Sequence, residues 1–337
     1  MPIPAILYCP TGKNTQKHNI YFADKFNTLP TQKKKCLHIS IHKASGVWIM
    51  AEISYSELIE QVNSVINMPG ADRFLLGYST MRQEIYGIHI GSYSGPQIII
   101  ESGIHAREYP AVLVVLGIAE YLASISTTLS GGVYIIPLCN PDGVRIVLDG
   151  VEWLTCDNYK QYLYRLNGSD DFSQWKASAT AVDLNVNFPA LWGEGSQNVF
   201  CPSPANFVGW YPASEREVRL LMDFTYSISP ALTLSYHTKG DVIYYGFETL
   251  TPTELERDKA IADIISSING YTPIKTENSV GGYSDWVSLN IGVPAYTIEV
   301  GNIALPTPIP LSAVEPAIEL NKVVPVALLD KLSASTQ

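Results

Sequence analysis

Three short apolar runs in this chain each lead to a side chain that binds metals or protons. Pro96-Gln97-Ile98-Ile99-Ile100-Glu101-Ser102-Gly103 leads into His105-Ala106-Arg107-Glu108. Ala231-Leu232-Thr233-Leu234-Ser235-Tyr236 ends on His237, and Pro294-Ala295-Tyr296-Thr297-Ile298 ends on Glu299. Apolar runs of this length read as buried strands. In open α/β sheets, ligands gather outside the carboxyl ends of the strands. His105, Glu108, His237 and Glu299 would meet there. Two histidines and a carboxylate form a zinc set with an open fourth position, and a second glutamate is left over as a general base.

The rest of the pattern fits such a sheet. Ser54 to Ile66 spaces its apolar residues as a helix, with Ser54 or Ser56 as cap. Strands are expected at about 84–91, 97–101, 132–138, 231–236 and 294–300, with a hairpin-like strand at 241–246. Helices are expected at about 110–125, 213–228, 253–268 and 312–332. Strands alternating with helices predict an α/β fold, a three-layer α/β/α sandwich around a twisted mixed, mostly parallel sheet. Residues 52–337 form the catalytic body. Residues 1–51 form an N-terminal extension in which Cys36–His42 and Gly46–Glu52 could pair as a β-hairpin. The stretch 147–210 reads as loop-rich and would wall the cleft.

Composition narrows the function. A 46% hydrophobic content with 16% charged residues supports a sizeable core rather than a disordered chain. With a net charge of −10 and Lys33-Lys34-Lys35 as the one basic run, nucleic-acid binding has little electrostatic support. No 18-residue apolar run exists, so no membrane span is expected. The first ten residues lack the basic start of a secretory signal, and five irregularly spaced cysteines suggest a reducing compartment. A cytoplasmic location is the expectation, with extracellular action only by non-classical release.

Alone, His105-x-x-Glu108 is a weak signal, because a surface histidine near a glutamate is common. The strand-end settings of His237 and Glu299 reverse that weighting, since a glutamate closing an apolar run needs a reason to be there. His18, His38, His42 and His89 lack such settings and read as structural.

These residues resemble the zinc carboxypeptidase family, with its Gly-Ile-His-x-Arg-Glu turn, later strand-end histidine and final strand-end glutamate. The resemblance covers roughly residues 54–330 and extends to Asn140-Pro141-Asp142-Gly143, a turn in that family, and to Ser284-Asp285-Trp286 after Gly281-Gly282. It implies one zinc per chain on His105, Glu108 and His237, with Glu299 as the base that activates water. Lys176 would stabilise the oxyanion; a surface lysine beside Trp175 is the equal alternative.

The departures from that family carry the specificity. In Asp183-Leu184-Asn185 the family usually follows the asparagine with an arginine that grips a terminal carboxylate, with the asparagine beside it; here Val186 follows. Valine cannot form a bidentate ion pair. Thr180 also stands where relatives often have arginine, and Glu277 replaces the family's capping tyrosine. The phrasing around Trp175-Lys176 and Asn187-Phe188-Pro189 looks like the bacterial branch that cleaves the γ-D-glutamyl–L-diamino acid bond of peptidoglycan stem peptides. The expected partner is therefore a murein-derived peptide. Arg107, Arg145 and Lys239 are candidates for displaced carboxylate contacts, and Ser284 sits where the family sets pocket specificity. An ordinary carboxypeptidase and a silent peptide-binding protein are the alternatives.

Overall fold

A computed structural model describes residues 52–334, so the hairpin expected within 36–51 lies outside the described residues. Eight strands form one sheet: β1 Asp72–Tyr78, β2 Glu84–Gly91, β3 Gln97–Ser102, β4 Gly132–Ile136, β5 Leu232–His237, β6 Val242–Tyr245, β7 Thr272–Lys275 and β8 Ala295–Glu299. The helices are α1 Tyr55–Ile66, α2 Tyr109–Ser124, α3 Pro141–Asp149, α4 Asp157–Asn167, α5 Arg216–Ile228, α6 Pro252–Asn269, α7 Tyr283–Trp286, α8 Val314–Asn321 and α9 Val324–Ala334. Strand order is β1-β2-β4-β3-β5-β8-β6-β7. The central strands β4, β3, β5 and β8 run parallel, and antiparallel pairs join β1 to β2, β2 to β4 and β6 to β8.

The isoleucine run of β3 shows why the centre reads as continuous apolar sequence. Ile98 and Ile100 enter a core beneath α1, α2, α6, α8 and α9, while Ile99 enters a second core beneath α5 and α7. A parallel strand covered on both faces has no polar face to alternate with. The result is the expected three-layer sandwich. Among the described residues, no helix is long and apolar enough to cross a membrane.

Several local expectations are resolved or revised. Ser54 caps α1, with its backbone N–H donating to Glu57 Oε2 at 2.8 Å in a reciprocal box. The strand at 242–245 makes no hairpin with β5; it crosses over to pair with β8 and β7. The single helix expected at 312–332 is two helices, because Pro325 supplies no N–H and its ring clashes with the carbonyl four residues back. Asn140-Pro141-Asp142-Gly143 is the start of α3, with Asn140 Oδ1 accepting from Gly143 N–H at 3.0 Å and Pro141 in the first turn. The loop-rich stretch also contains α4.

Candidate metal centre and cleft

The centre is built at the carboxyl ends of three neighbouring strands. His237 and Glu299 are register partners at the ends of β5 and β8. After β3, Gly103 turns the chain with φ +65°; a Cβ there would meet Val112 at 2.8 Å and Leu138 at 3.1 Å, so glycine is required. The turn is then stapled. Asn140 Nδ2 donates to the carbonyls of Ile104 (3.0 Å) and Ala177 (3.2 Å), and Ala106 N–H donates to Lys176 O at 3.0 Å. This fixes His105 and Glu108, at the two ends of the short turn that leads into α2, against the segment that carries Lys176.

His105, Glu108 and His237 converge, all buried, with one potential ligand atom from each lying within 4.8 Å of the others. His105 Nδ1 is 3.0 Å from Glu108 Oε1, His237 Nδ1 is 2.9 Å from Glu108 Oε2, and the two Nδ1 atoms are 3.0 Å apart. A tetrahedral ion with zinc–ligand bonds of about 2.0–2.1 Å needs donors roughly 3.3 Å apart, so the two Nδ1 atoms and the Glu108 carboxylate suit such an ion. Burial alone would raise the Glu108 pKa, but His105 and His237 together hold it well below the usual range, which keeps it a ligand-competent carboxylate.

Behind the set lies Asp183. Its Oδ1 is 3.4 Å from His105 Nε2 and its Oδ2 is 2.9 Å from Lys176 Nζ. It also accepts the N–H groups of Asn185 and Asn206, each at 3.1 Å. Against the upward push of burial, Lys176 and His105 drive its pKa far below the usual carboxylate range. Glu299 is moved the other way. Burial first and the charge of Glu108 second push its pKa up to about 8, against the opposing pull of His237, Lys176 and Arg107. Its Oε2 is buried without a hydrogen-bond partner. Two carboxylates a short distance apart thus have opposed proton affinities, the pattern of a ligand beside a base.

A cleft of about 420 Å³ opens beside the set, lined by His105, His237, Glu299, Lys176, Asn185 and Ser284 among others. The structure therefore brings together all the predicted site residues except Arg107, whose Nη1 donates to Gln174 O at 3.3 Å and which does not line the cleft. Arg145 is likewise elsewhere, over the rings of Tyr55 and Trp153 and 3.5 Å from Asp149. Lys239 does not line the cleft either. Asn185 Oδ1 accepts from Tyr283 N–H at 2.9 Å, which leaves its amide NH₂ to the cleft. Val186 lines the cleft as well. Sequence reasoning missed Asp183 as a site residue, although an aspartate set between Val182 and Leu184 was a signal.

A ligand-type triad, a buried carboxylate with raised proton affinity and a cleft beside them make the arrangement of a metal-dependent hydrolase. The chain belongs to the zinc carboxypeptidase family: residues 71–321 match Peptidase_M14, zinc carboxypeptidase. It is 34% identical over 250 residues to gamma-D-glutamyl-L-diamino acid endopeptidase 1 of Lysinibacillus sphaericus, a match covering 69% of this chain and 61% of that protein. The match thus spans less than two thirds of the relative's length. Carboxypeptidase B of Astacus astacus is 27% identical over 246 residues, covering 67% of this chain and 77% of the other. Bovine thrombin-activatable fibrinolysis inhibitor shares the fold with a TM-score of 0.65 at 18% identity, covering 84% of this chain and 98% of its own. The family implies zinc, and His105, Glu108 and His237 could hold it.

Proposed function

We propose that residues 52–337 are a zinc-dependent peptidase that hydrolyses the γ-D-glutamyl–L-diamino acid bond of peptidoglycan stem peptides. His105, Glu108 and His237 would hold one zinc ion. When bound, zinc acidifies water and polarises the scissile carbonyl. Glu299 takes a proton from the attacking water and delivers it to the leaving amine as the C–N bond breaks. Burial raises its proton affinity above that of an ordinary glutamate, which strengthens its pull on that proton. Lys176, held in place by Asp183, places a positive charge where the carbonyl oxygen gains negative charge. The Asn185 amide orients the substrate backbone.

One observation carries the choice of bond. Where the family's clamp arginine would stand, Val186 lines the cleft, and among the described residues no arginine lines it. A terminal carboxylate buried there would have no bidentate partner. A substrate that continues past the scissile bond, or holds its carboxylates elsewhere, suits such a cleft. The relative named as a γ-D-glutamyl-L-diamino acid endopeptidase supports the same choice. The carboxypeptidase B relative supports the alternative, release of single C-terminal residues. Incubation with a defined L-Ala-γ-D-Glu-diamino acid peptide, followed by mass spectrometry, tests the reading. Release of L-Ala-D-Glu is expected, and removal of single residues from α-linked peptides with the γ-linked peptide left intact would contradict it.

A further inference from the structure

Outside the cleft, one stretch of its loop-rich wall has an unusual composition. From Gly195 to Ser214 the sequence carries no charged residue and no histidine, yet it holds Phe200, Trp210 and Tyr211, each more than half exposed. Amide and hydroxyl side chains are interspersed with them: Ser196, Gln197, Asn198, Ser203 and Asn206. At the far border the charges are engaged. Glu215 accepts from Ser214 Oγ at 2.9 Å, and Arg219 Nη1 donates to the carbonyls of Ala213 and Ser214 at 2.7 and 2.6 Å. Single exposed apolar residues are ordinary, but large rings gathered in one loop cluster beside a cleft mark a binding surface.

A short parallel pairing sets where the rings stand. Val199 pairs with Phe207; Val199 N–H donates to Asn206 O at 2.9 Å and Val208 N–H to Val199 O at 3.2 Å. Asn198 and Asn206, which precede the pair, both line the cleft, and the exposed rings follow it. Parallel segments run the same way, so both leave the cleft together and carry the rings to its rim. Phe200 comes two residues after Asn198, about 6–7 Å of extended chain. Its ring rests on Gly193, where an added Cβ would meet it at 3.3 Å, and Trp210 meets Phe207 edge-on with centroids 5.2 Å apart. The cleft end of the wall begins beside the proposed oxyanion lysine, because Lys176 Nζ donates to Asn206 Oδ1 at 3.4 Å. There too, Asn198 Nδ2 is buried without a hydrogen-bond partner among the described residues.

A ligand for this rim must suit both rings and amides. A charged partner would find no complementary charge, and a purely apolar one would leave the Asn198 donor unpaired. A neutral sugar suits both, offering C–H faces to the rings and hydroxyl and acetamido oxygens to the amides. We infer that the rim is a subsite for the N-acetylated sugar that carries the stem peptide. That sugar is N-acetylmuramic acid, whose lactyl carboxyl is amide-linked to L-alanine and therefore neutral. Two residues separate it from the scissile bond, roughly 7 Å of extended chain, which matches the reach from the cleft wall to Phe200. The inference rests on the γ-glutamyl reading above and names the form of the substrate, a stem peptide still joined to its glycan.

The test measures kcat/KM for L-Ala-γ-D-Glu-L-Lys, free and joined through its alanine to N-acetylmuramic acid. The muramyl peptide should exceed the free peptide by about tenfold, and Trp210→Ala and Tyr211→Ala should each bring the ratio toward one. The ratio is taken within each variant, so a loss of folded protein cancels. A second arm reads binding without cleavage. A tetramer of N-acetylglucosamine should shift the tryptophan fluorescence of the full chain saturably, and Trp210→Ala should abolish the shift. A ratio near one in the unaltered protein, or the same raised ratio in both variants, would overturn the subsite and leave the γ-glutamyl reading standing. If neither peptide is cut, that reading falls and the fluorescence arm decides the subsite: a saturable shift lost in Trp210→Ala upholds it, and no shift overturns it. A dimer that Trp210→Ala dissociates in sedimentation would give the rings to a second copy of the chain and overturn the subsite as well.

Discussion

Lys176 Nζ lies 2.9 Å from Asp183 Oδ2, and the other oxygen of that carboxylate lies 3.4 Å from His105 Nε2. One buried aspartate therefore faces both Lys176 of the cleft and His105, a candidate metal ligand. A carboxylate behind a ligating histidine fixes the ring and raises its basicity, and losing it typically costs about 10–100-fold in metal affinity. Asp183→Asn should weaken zinc binding by that order in a competition titration. It should also lower kcat at saturating zinc, because Lys176 loses its anchor. Unchanged affinity together with unchanged kcat would show that Asp183 only supports the local backbone.

Binding and chemistry should separate at the two strand-end partners. Glu299→Gln should keep stoichiometric zinc by elemental analysis yet lose turnover by about 10²–10⁴-fold, the range for a missing general base. His237→Ala should instead lose the metal. Near-normal turnover in Glu299→Gln would move the base to another residue.

Stability should carry a separate pH signature far from the metal. Glu217 of α5 accepts Thr80 N–H at 2.7 Å in the turn between β1 and β2. Burial, with help from the nearby charge of Asp142, pushes its pKa from 4.5 up to about 7, against the pull of the Thr80 hydrogen bond. The folded state thus holds this proton more tightly than the unfolded chain. Its stabilising contribution is present below pH 4.5 and is lost as pH rises through about 7. A shift of that size corresponds to roughly 3 kcal/mol. Glu217→Gln has no such proton to lose. Its stability relative to the wild type should therefore rise between pH 5 and pH 8 in urea melts, by an amount of that order. A difference that stays flat with pH would contradict the assignment.

The sequence made the site more legible than the sheet edges. His237 and Glu299 could be placed because each closes an apolar run of strand length, bounded by proline at its start. β1 escaped notice because Asp72 to Tyr78 is largely exposed and lacks alternation, and β7 because Thr272 to Lys275 is short and carries a proline. The start of α3 was hidden inside a motif read as a turn, although Asn140 before Pro141 has the form of a helix cap. Asp183 was visible as a letter in Asp-Leu-Asn, but its partners His105 and Lys176 come from other segments. Only the fold brings those together.

The missing clamp is the central claim, and a substrate's terminal carboxylate tests it most directly. The measurement is kcat/KM for L-Ala-γ-D-Glu-L-Lys with a free C-terminus and with the same terminus amidated. With Val186 in the cleft and no arginine among the described residues lining it, the two values should agree within a fewfold. Removing one partner of a buried arginine–carboxylate pair costs about 3–5 kcal/mol. A loss of about 10²-fold or more on amidation would therefore reveal a clamp this cleft is not expected to possess, and would make the protein an ordinary carboxypeptidase.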